Sequence, residues 1–293
     1  MNVGGRVAAP PDTPARFRLA LCNEVLRELE FPAQCAYAAA LGYDGLEVAP
    51  FTLAEEPHRL PAARRAALRR AAADAGIAII GLHWLLVTPP GLTLNGPDAT
   101  ARARTLDVMR GLVGLCADLG GSVMVHGSPA QRSVAAGDDP AAAWARARDA
   151  LAAVAAEAGR ASITYCLEPL APRETNFVNT LEEAVALVRA VGHPALRTML
   201  DTSAASQAER EPVPALIERW VPAGMIGHVQ LNDVNHRGPG QGATSFAPIL
   251  AALRRARYAG VVSVEPFDYV PDGRGSAARA IGYIRGIEDS LSR

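Results

Sequence analysis

The sequence predicts an α/β fold, a (β/α)8 barrel in a single domain, and three observations predict it. Eight short apolar runs of strand type recur along the chain. Ala-, Leu- and Arg-rich segments of helical length separate them, and four of the runs end on a residue able to bind a hard divalent cation. Those residues are Glu168 in YCLEP, Asp201 in LRTMLDT, Gln230 in GHVQLND and Glu265 in VVSVEP, spaced 33, 29 and 35 residues apart. Such spacing is about one strand-plus-helix unit of roughly 30 residues. In a closed barrel the C-terminal ends of parallel strands converge on one face, so the four oxygen ligands would meet there.

The strand candidates are 17–22 (FRLALC), 45–49 (GLEVA), 77–83 (IAIIGLH), 122–126 (SVMVH), 163–168 (ITYCLE), 196–201 (LRTMLD), 225–232 (MIGHVQLN) and 261–265 (VVSVE). Helical segments such as 61–76 and 140–159 lie between them, each closed by a glycine suited to a left-handed C-cap. Arginine runs such as Arg69 and Arg70 read as solvated outer faces. No second repeat and no low-complexity linker divides the chain, so residues 17–293 form the barrel and the Pro- and Gly-rich residues 1–16 a flexible lead-in.

Composition narrows the function. The chain has 293 residues and a net charge of −1, so no broad basic face points to nucleic acid or an anionic membrane. No run reaches the ~18 apolar residues of a membrane helix, and the N-terminus lacks a signal-peptide core; a cytoplasmic protein is expected. Every one of the 29 Lys+Arg residues is arginine, which excludes Schiff-base aldolase chemistry and pyridoxal-phosphate attachment. Carbonyl activation is then left to a metal. Cys22, Cys35, Cys116 and Cys166 form no C-x-x-C pair and read as buried, reduced thiols.

Three carboxylates and an amide oxygen suit Mn²⁺ or Mg²⁺ better than a thiophilic ion. Glu168 and Glu265, after the fifth and eighth strands, would face each other across the barrel mouth. Two bases could there flank a substrate carbon beside a carbonyl. Each could also simply satisfy strand-end backbone groups. Gln230 stands one step nearer the mouth than His228, which shares its side of the strand. Arg237, in NHRGPGQG, is placed to hold a substrate hydroxyl, carboxylate or phosphate, or else is an exposed residue of a tight loop. His83 and His126 close the third and fourth strands and could line the pocket or be structural, and Trp84 could wall a sugar face or pack in the core.

The segments EPLAPRETNFVNT (168–180), LDTS (200–203), GHVQLNDVNHRGPGQG (227–242) and GYDGLEV (42–48) resemble the xylose isomerase-like barrel superfamily, closest to its ketose 3-epimerases and hydroxypyruvate isomerases. The resemblance runs from about residue 17 to the end and implies Mn²⁺, Mg²⁺ or Co²⁺ on Glu168, Asp201, Gln230 and Glu265. It also implies that the two glutamates exchange protons with a small keto-sugar or hydroxy-carbonyl substrate through an enediolate, and that Glu174 and Arg237 bind the substrate. Barrels of this kind often pair through their outer helices, so a homo-oligomer is expected. Two positions depart from the epimerase pattern: Gln230 stands where epimerases have histidine, as in hydroxypyruvate isomerases, and Ala204 replaces a substrate-binding histidine. An inosose-dehydratase-like lyase using the same metal site, or a non-catalytic metal-binding barrel, remains an alternative. A DNA-repair endonuclease on this fold would need a histidine-rich three-zinc site and a basic surface, which six histidines and a charge of −1 do not supply.

Overall fold

The computed structural model describes residues 16–291; residues 1–15, nearly all of the expected lead-in, lie outside the described residues. Eight parallel strands close into a barrel in sequence order: β1 Arg18–Cys22, β2 Gly45–Val48, β3 Ala78–Leu82, β4 Val123–His126, β5 Thr164–Leu167, β6 Leu196–Asp201, β7 Ile226–Leu231 and β8 Val261–Val264, with β8 pairing β1. Each strand falls within a residue of its expected bounds. Outside them run α1 Phe31–Leu41, α2 Ala62–Asp74, α3 Ala99–Leu119, α4 Pro140–Arg160, α5 Leu181–Val191, α6 Thr202–Ala208, α7 Val213–Trp220, α8 Ala247–Arg255 and α9 Gly273–Leu291. No helix among the described residues is long and apolar enough to cross a membrane.

Local chemistry sets the helix ends. Asp98 and Asp139 cap α3 and α4 through their carboxylates, and Thr180 with Glu183 forms a capping box at α5. Gly76 takes the left-handed turn after α2, as the sequence suggests. Gly159 does not take it after α4: the helix continues to Arg160 and Ser162 adopts positive φ instead. The physical reason is proximity, since a Cβ at Gly159 would stand 2.8 Å from the His193 ring. That glycine serves close packing.

Strand alternation divides the residues between two environments. The main core lies between strands and helices, with Leu19, Leu21, Leu46, Leu82, Leu167, Leu200 and Leu231 pointing outward into it. Inside the barrel, Val123, Val125, Cys166 and Met199 form a small apolar plug with Ile80 packed on it. Glu168 is two residues beyond Cys166 and Asp201 two beyond Met199, so both side chains continue the inward rows toward the C-terminal mouth. The four cysteines are free and buried.

Candidate functional site

The converging strand ends bring three of the four candidate ligands to one point. One oxygen from each of Glu168, Asp201 and Glu265 lies within 4.8 Å of the others, and all three residues are buried. Glu168 and Glu265 stand just past β5 and β8. Asp201 ends β6 and caps α6: its Oδ1 accepts from the Ala204 amide at 2.7 Å, while Oδ2 is buried without a partner. Gln230 is the register partner of Asp201 on the neighbouring strand. Its Nε2 donates to Glu47 Oε1 at 3.3 Å, and its Oε1 also has no partner.

Crowding of like charges away from water dominates the electrostatics. Burial, reinforced by the Glu265 and Asp201 charges, holds the Glu168 carboxyl well above the ordinary range. Burial raises Asp201 to about 7 against the amide bonds it accepts, and raises Glu265 to about 8 against its bond to His83. Three raised carboxyls and two orphaned acceptors form a hard, anionic donor set, which fits a divalent cation such as Mn²⁺ or Mg²⁺. Gly127 leaves room for the Glu168 carboxylate, since a Cβ there would come within 2.2 Å of Glu168 Oε2.

Above the carboxylates opens a cavity of about 280 Å³, walled by Trp84, Gly127, Ser128, Pro129, Glu168, Leu170, Glu174, His236, Glu265 and Phe267. Trp84 and Phe267 meet edge to face with centroids 5.5 Å apart. Trp84 and Ser128 both hold positive φ, backbone conformations that cost about 1–3 kcal/mol and cluster at functional sites. Glu174 lines the cavity as expected for a substrate contact, and so does Trp84.

Three expected substrate residues are not brought to the cavity wall. His83 stands behind Glu265, its Nδ1 2.7 Å from Glu265 Oε1 and its Nε2 3.0 Å from Glu24 Oε2. His126 is enclosed with Nδ1 2.7 Å from the Tyr165 hydroxyl; burial, aided by Arg132, lowers it to about 3. Arg237 donates from Nε to Asp268 at 2.7 Å on the exposed rim. Its glycine-rich loop folds around an internal carboxylate, since the Thr244 amide donates to Asp233 Oδ2 and a Cβ at Gly242 would meet that same group at 2.3 Å.

Sequence reasoning missed His236, Phe267, Glu24, Glu47 and Arg132. His236 and Phe267 wall the cavity, and Arg173 Nη2 donates to His236 Nε2 at 2.5 Å across its rim. Glu47 carried a signal, a charge inside an apolar strand run. Arg132 is fully enclosed, with Nε and Nη2 unpartnered; burial lowers it to about 10 while the Glu168 and Glu174 charges pull it up.

Fold and site together define a barrel protein with an acidic, cation-fitting centre at its C-terminal strand ends. Residues 35–287 match the xylose isomerase-like TIM barrel family, and the chain belongs to it. It is 30% identical over 205 residues to an L-ribulose 3-epimerase of Mesorhizobium japonicum, a match covering 68% of this chain and 65% of that protein. It is 33% identical over 129 residues to a D-psicose 3-epimerase of Agrobacterium fabrum, covering 44% of each chain. The match thus spans less than two thirds of these relatives' length. The fold also superposes on a D-psicose 3-epimerase solved with D-fructose, with TM-score 0.79 at 23% identity over 92% of this chain and 99% of that one. A 3-keto-D-glucoside 4-epimerase of E. coli superposes with TM-score 0.80 at 17% identity, over 92% and 100%.

Proposed function

We propose that this protein is a divalent-metal-dependent epimerase or isomerase of a small keto-sugar or hydroxy-carbonyl compound. One observation carries the reading: Glu168, Asp201 and Glu265 converge within 4.8 Å on the cavity floor, with Asp201 Oδ2 and Gln230 Oε1 buried and unpartnered beside them. The epimerase relatives support the substrate class. Glu168, Asp201, Gln230 and Glu265 would hold Mn²⁺, Mg²⁺ or Co²⁺. When bound, such an ion polarises a carbonyl and lowers the cost of negative charge on its oxygen.

The chain's own residues supply the rest. Glu168 and Glu265 both reach the cavity and are the acid/base pair: one takes the proton from the carbon beside the carbonyl, leaving an enediolate. Return by the same carboxyl to the neighbouring carbon, the former carbonyl carbon, while the hydroxyl proton passes from one enediolate oxygen to the other, gives isomerisation; return to the original carbon from its opposite face by the other carboxyl gives epimerisation. Glu174 binds a substrate hydroxyl, and the edge of Trp84 with Phe267 excludes water and packs on carbon-bound hydrogens. Four reduced thiols fit a reducing compartment such as the cytoplasm.

The test is proton exchange in deuterated water over a panel of keto-sugars and hydroxy-carbonyl acids, with Mn²⁺ present. Deuterium entering the carbon next to the carbonyl, abolished by a chelator, is the expected result. No exchange from any member by protein with Mn²⁺ verified on it would overturn the reading, and loss of a hydroxyl in the product would transfer it to a lyase.

A further inference from the structure

We infer a second cation site, softer than the first, formed by Cys22, Glu24, His83 and Glu265, so that Glu265 is shared between two ions. One ligand atom from each of the four lies within 4.8 Å of all the others, and all four residues are buried. The topology explains the meeting. Cys22 ends β1 and Glu24 lies two residues on, while His83 and Glu265 stand just past β3 and β8. β1 and β8, paired at the closing seam of the barrel, and β3, separated from β1 by β2, thus deliver a thiol, an imidazole and two carboxylates to one place.

A second observation points to a ligand. Glu24 is 3% exposed, its Oε2 is 3.0 Å from His83, and its Oε1 has no partner at all. An acceptor wholly removed from water and left unmatched is destabilising, and a cation would satisfy it. Cys22 Sγ is held only by long sulfur hydrogen bonds, donating to Glu47 Oε2 at 3.8 Å and accepting from Gln230 Nε2 at 4.0 Å. His83 has a carboxylate on each ring nitrogen, so an ion bound through one nitrogen would replace the hydrogen bond there and meet the carboxylate that made it.

The donor set selects the ion. Thiolate, imidazole and two carboxylates complete a four-ligand shell of the sort Zn²⁺ and Co²⁺ accept, whereas the neighbouring set of oxygens favours a harder cation. Four protein ligands leave no open position, so this ion would brace β1, β3 and β8 and fix Glu265 from behind. The inference stands independently of which substrate the protein turns over.

Titration of the chelator-stripped full chain with Co²⁺ and Zn²⁺ tests it, read by metal content after gel filtration and by near-ultraviolet absorption. Two equivalents and a thiolate-to-cobalt charge-transfer band are expected in the wild type. Cys22→Ser should lose the band and fall to one equivalent; Glu24→Gln should weaken the same equivalent at least about 10-fold. Asp201→Ala should keep the band while losing the other ion, which separates this site from the one proposed for catalysis. A wild-type protein that takes one equivalent with no band overturns the inference, as does a band that survives in Cys22→Ser.

Discussion

Gln230 donates from Nε2 to Glu47 Oε1 at 3.3 Å, with both side chains wholly enclosed, and this bond turns the amide so that its oxygen is the atom left without a partner. Glu47 is itself held, because His228 Nε2 lies 3.0 Å from its other oxygen and 3.1 Å from Ser263 Oγ. The chain His228, Glu47, Gln230 therefore aims a neutral oxygen from one strand beside the carboxylate of Asp201 on the next. Burial alone would raise Glu47, yet His228 outweighs it and holds the carboxyl down at about 2.

Glu47→Gln should remove that orientation. It removes the buried carboxylate that His228 and Gln230 both bond, and a hydrogen bond to a charged group contributes about 1.5–3 kcal/mol. Urea unfolding should show the loss, and Mn²⁺ should bind more weakly to whatever fraction folds. Unchanged Mn²⁺ affinity in folded protein would mean that Gln230 does not need Glu47 to face the ion.

Ligand exchange offers a direct comparison. Asp201→Ala removes a charged oxygen and should abolish Mn²⁺ binding, whereas Gln230→His replaces one neutral donor with another and should preserve it. Calorimetric titration of each variant decides the matter. Equal affinities for the two would remove Asp201 from the ligand set.

The pH dependence of the ion-free protein follows from the same crowding. Asp201 and Glu265 titrate near 7 and 8 when folded, against ordinary values of 3.8 and 4.5. A carboxyl raised by folding favours the folded state below its unfolded value, and that benefit is lost as pH rises through the folded one. Glu47 has the opposite sign: its contribution is present above 4.5 and is lost as pH falls toward about 2. Chelated protein should therefore be most stable near pH 4–5 and lose melting temperature steadily toward about pH 8. Saturating Mn²⁺ should remove the alkaline decline. A melting temperature that climbs through this window without metal would contradict the assignment.

Much of this centre was legible because its signals are local. A carboxylate closing an apolar run marks a strand end, and the period-2 rows that bury Cys166 and Met199 carry Glu168 and Asp201 to the mouth. What was hidden depends on distance along the chain. His83 meets Glu265 across 182 residues and Gln230 meets Glu47 across 183, so neither bond has a local signature. Arg237 shows the same limit: its loop composition announces a turn and a cation, but Asp268, 31 residues later, determines where the guanidinium points. Gly159 looked like a helix stop because the facing His193 cannot be seen in one segment.

Mouth geometry gives a further expectation. His236 and Glu174 wall the cavity, while Arg237 is tied to Asp268 in an exposed pair of the kind that contributes about 0–1 kcal/mol. Glu174→Ala and His236→Ala should each raise KM with metal content intact. Arg237→Met should raise it less than either. A larger KM effect at Arg237 would show that substrate pulls the guanidinium away from Asp268 and into the cavity.

The decisive variants are Glu168→Gln and Glu265→Gln. Both residues reach the cavity beside the proposed ion, so both can ligate and also exchange a proton. An amide oxygen still ligates but cannot take a proton from carbon, so metal content should persist in each variant. Turnover should fall at least ~10²-fold, the lower range for a general acid–base group. Deuterium exchange then separates the roles: the glutamate that removes the proton is the one whose variant loses wash-in from the keto substrate. The glutamate that returns it on the opposite side should retain wash-in while losing the epimeric product. If either variant held metal and turned over a verified substrate at the wild-type rate, that glutamate would be a ligand alone and the two-base scheme would reduce to a single carboxyl working from one side.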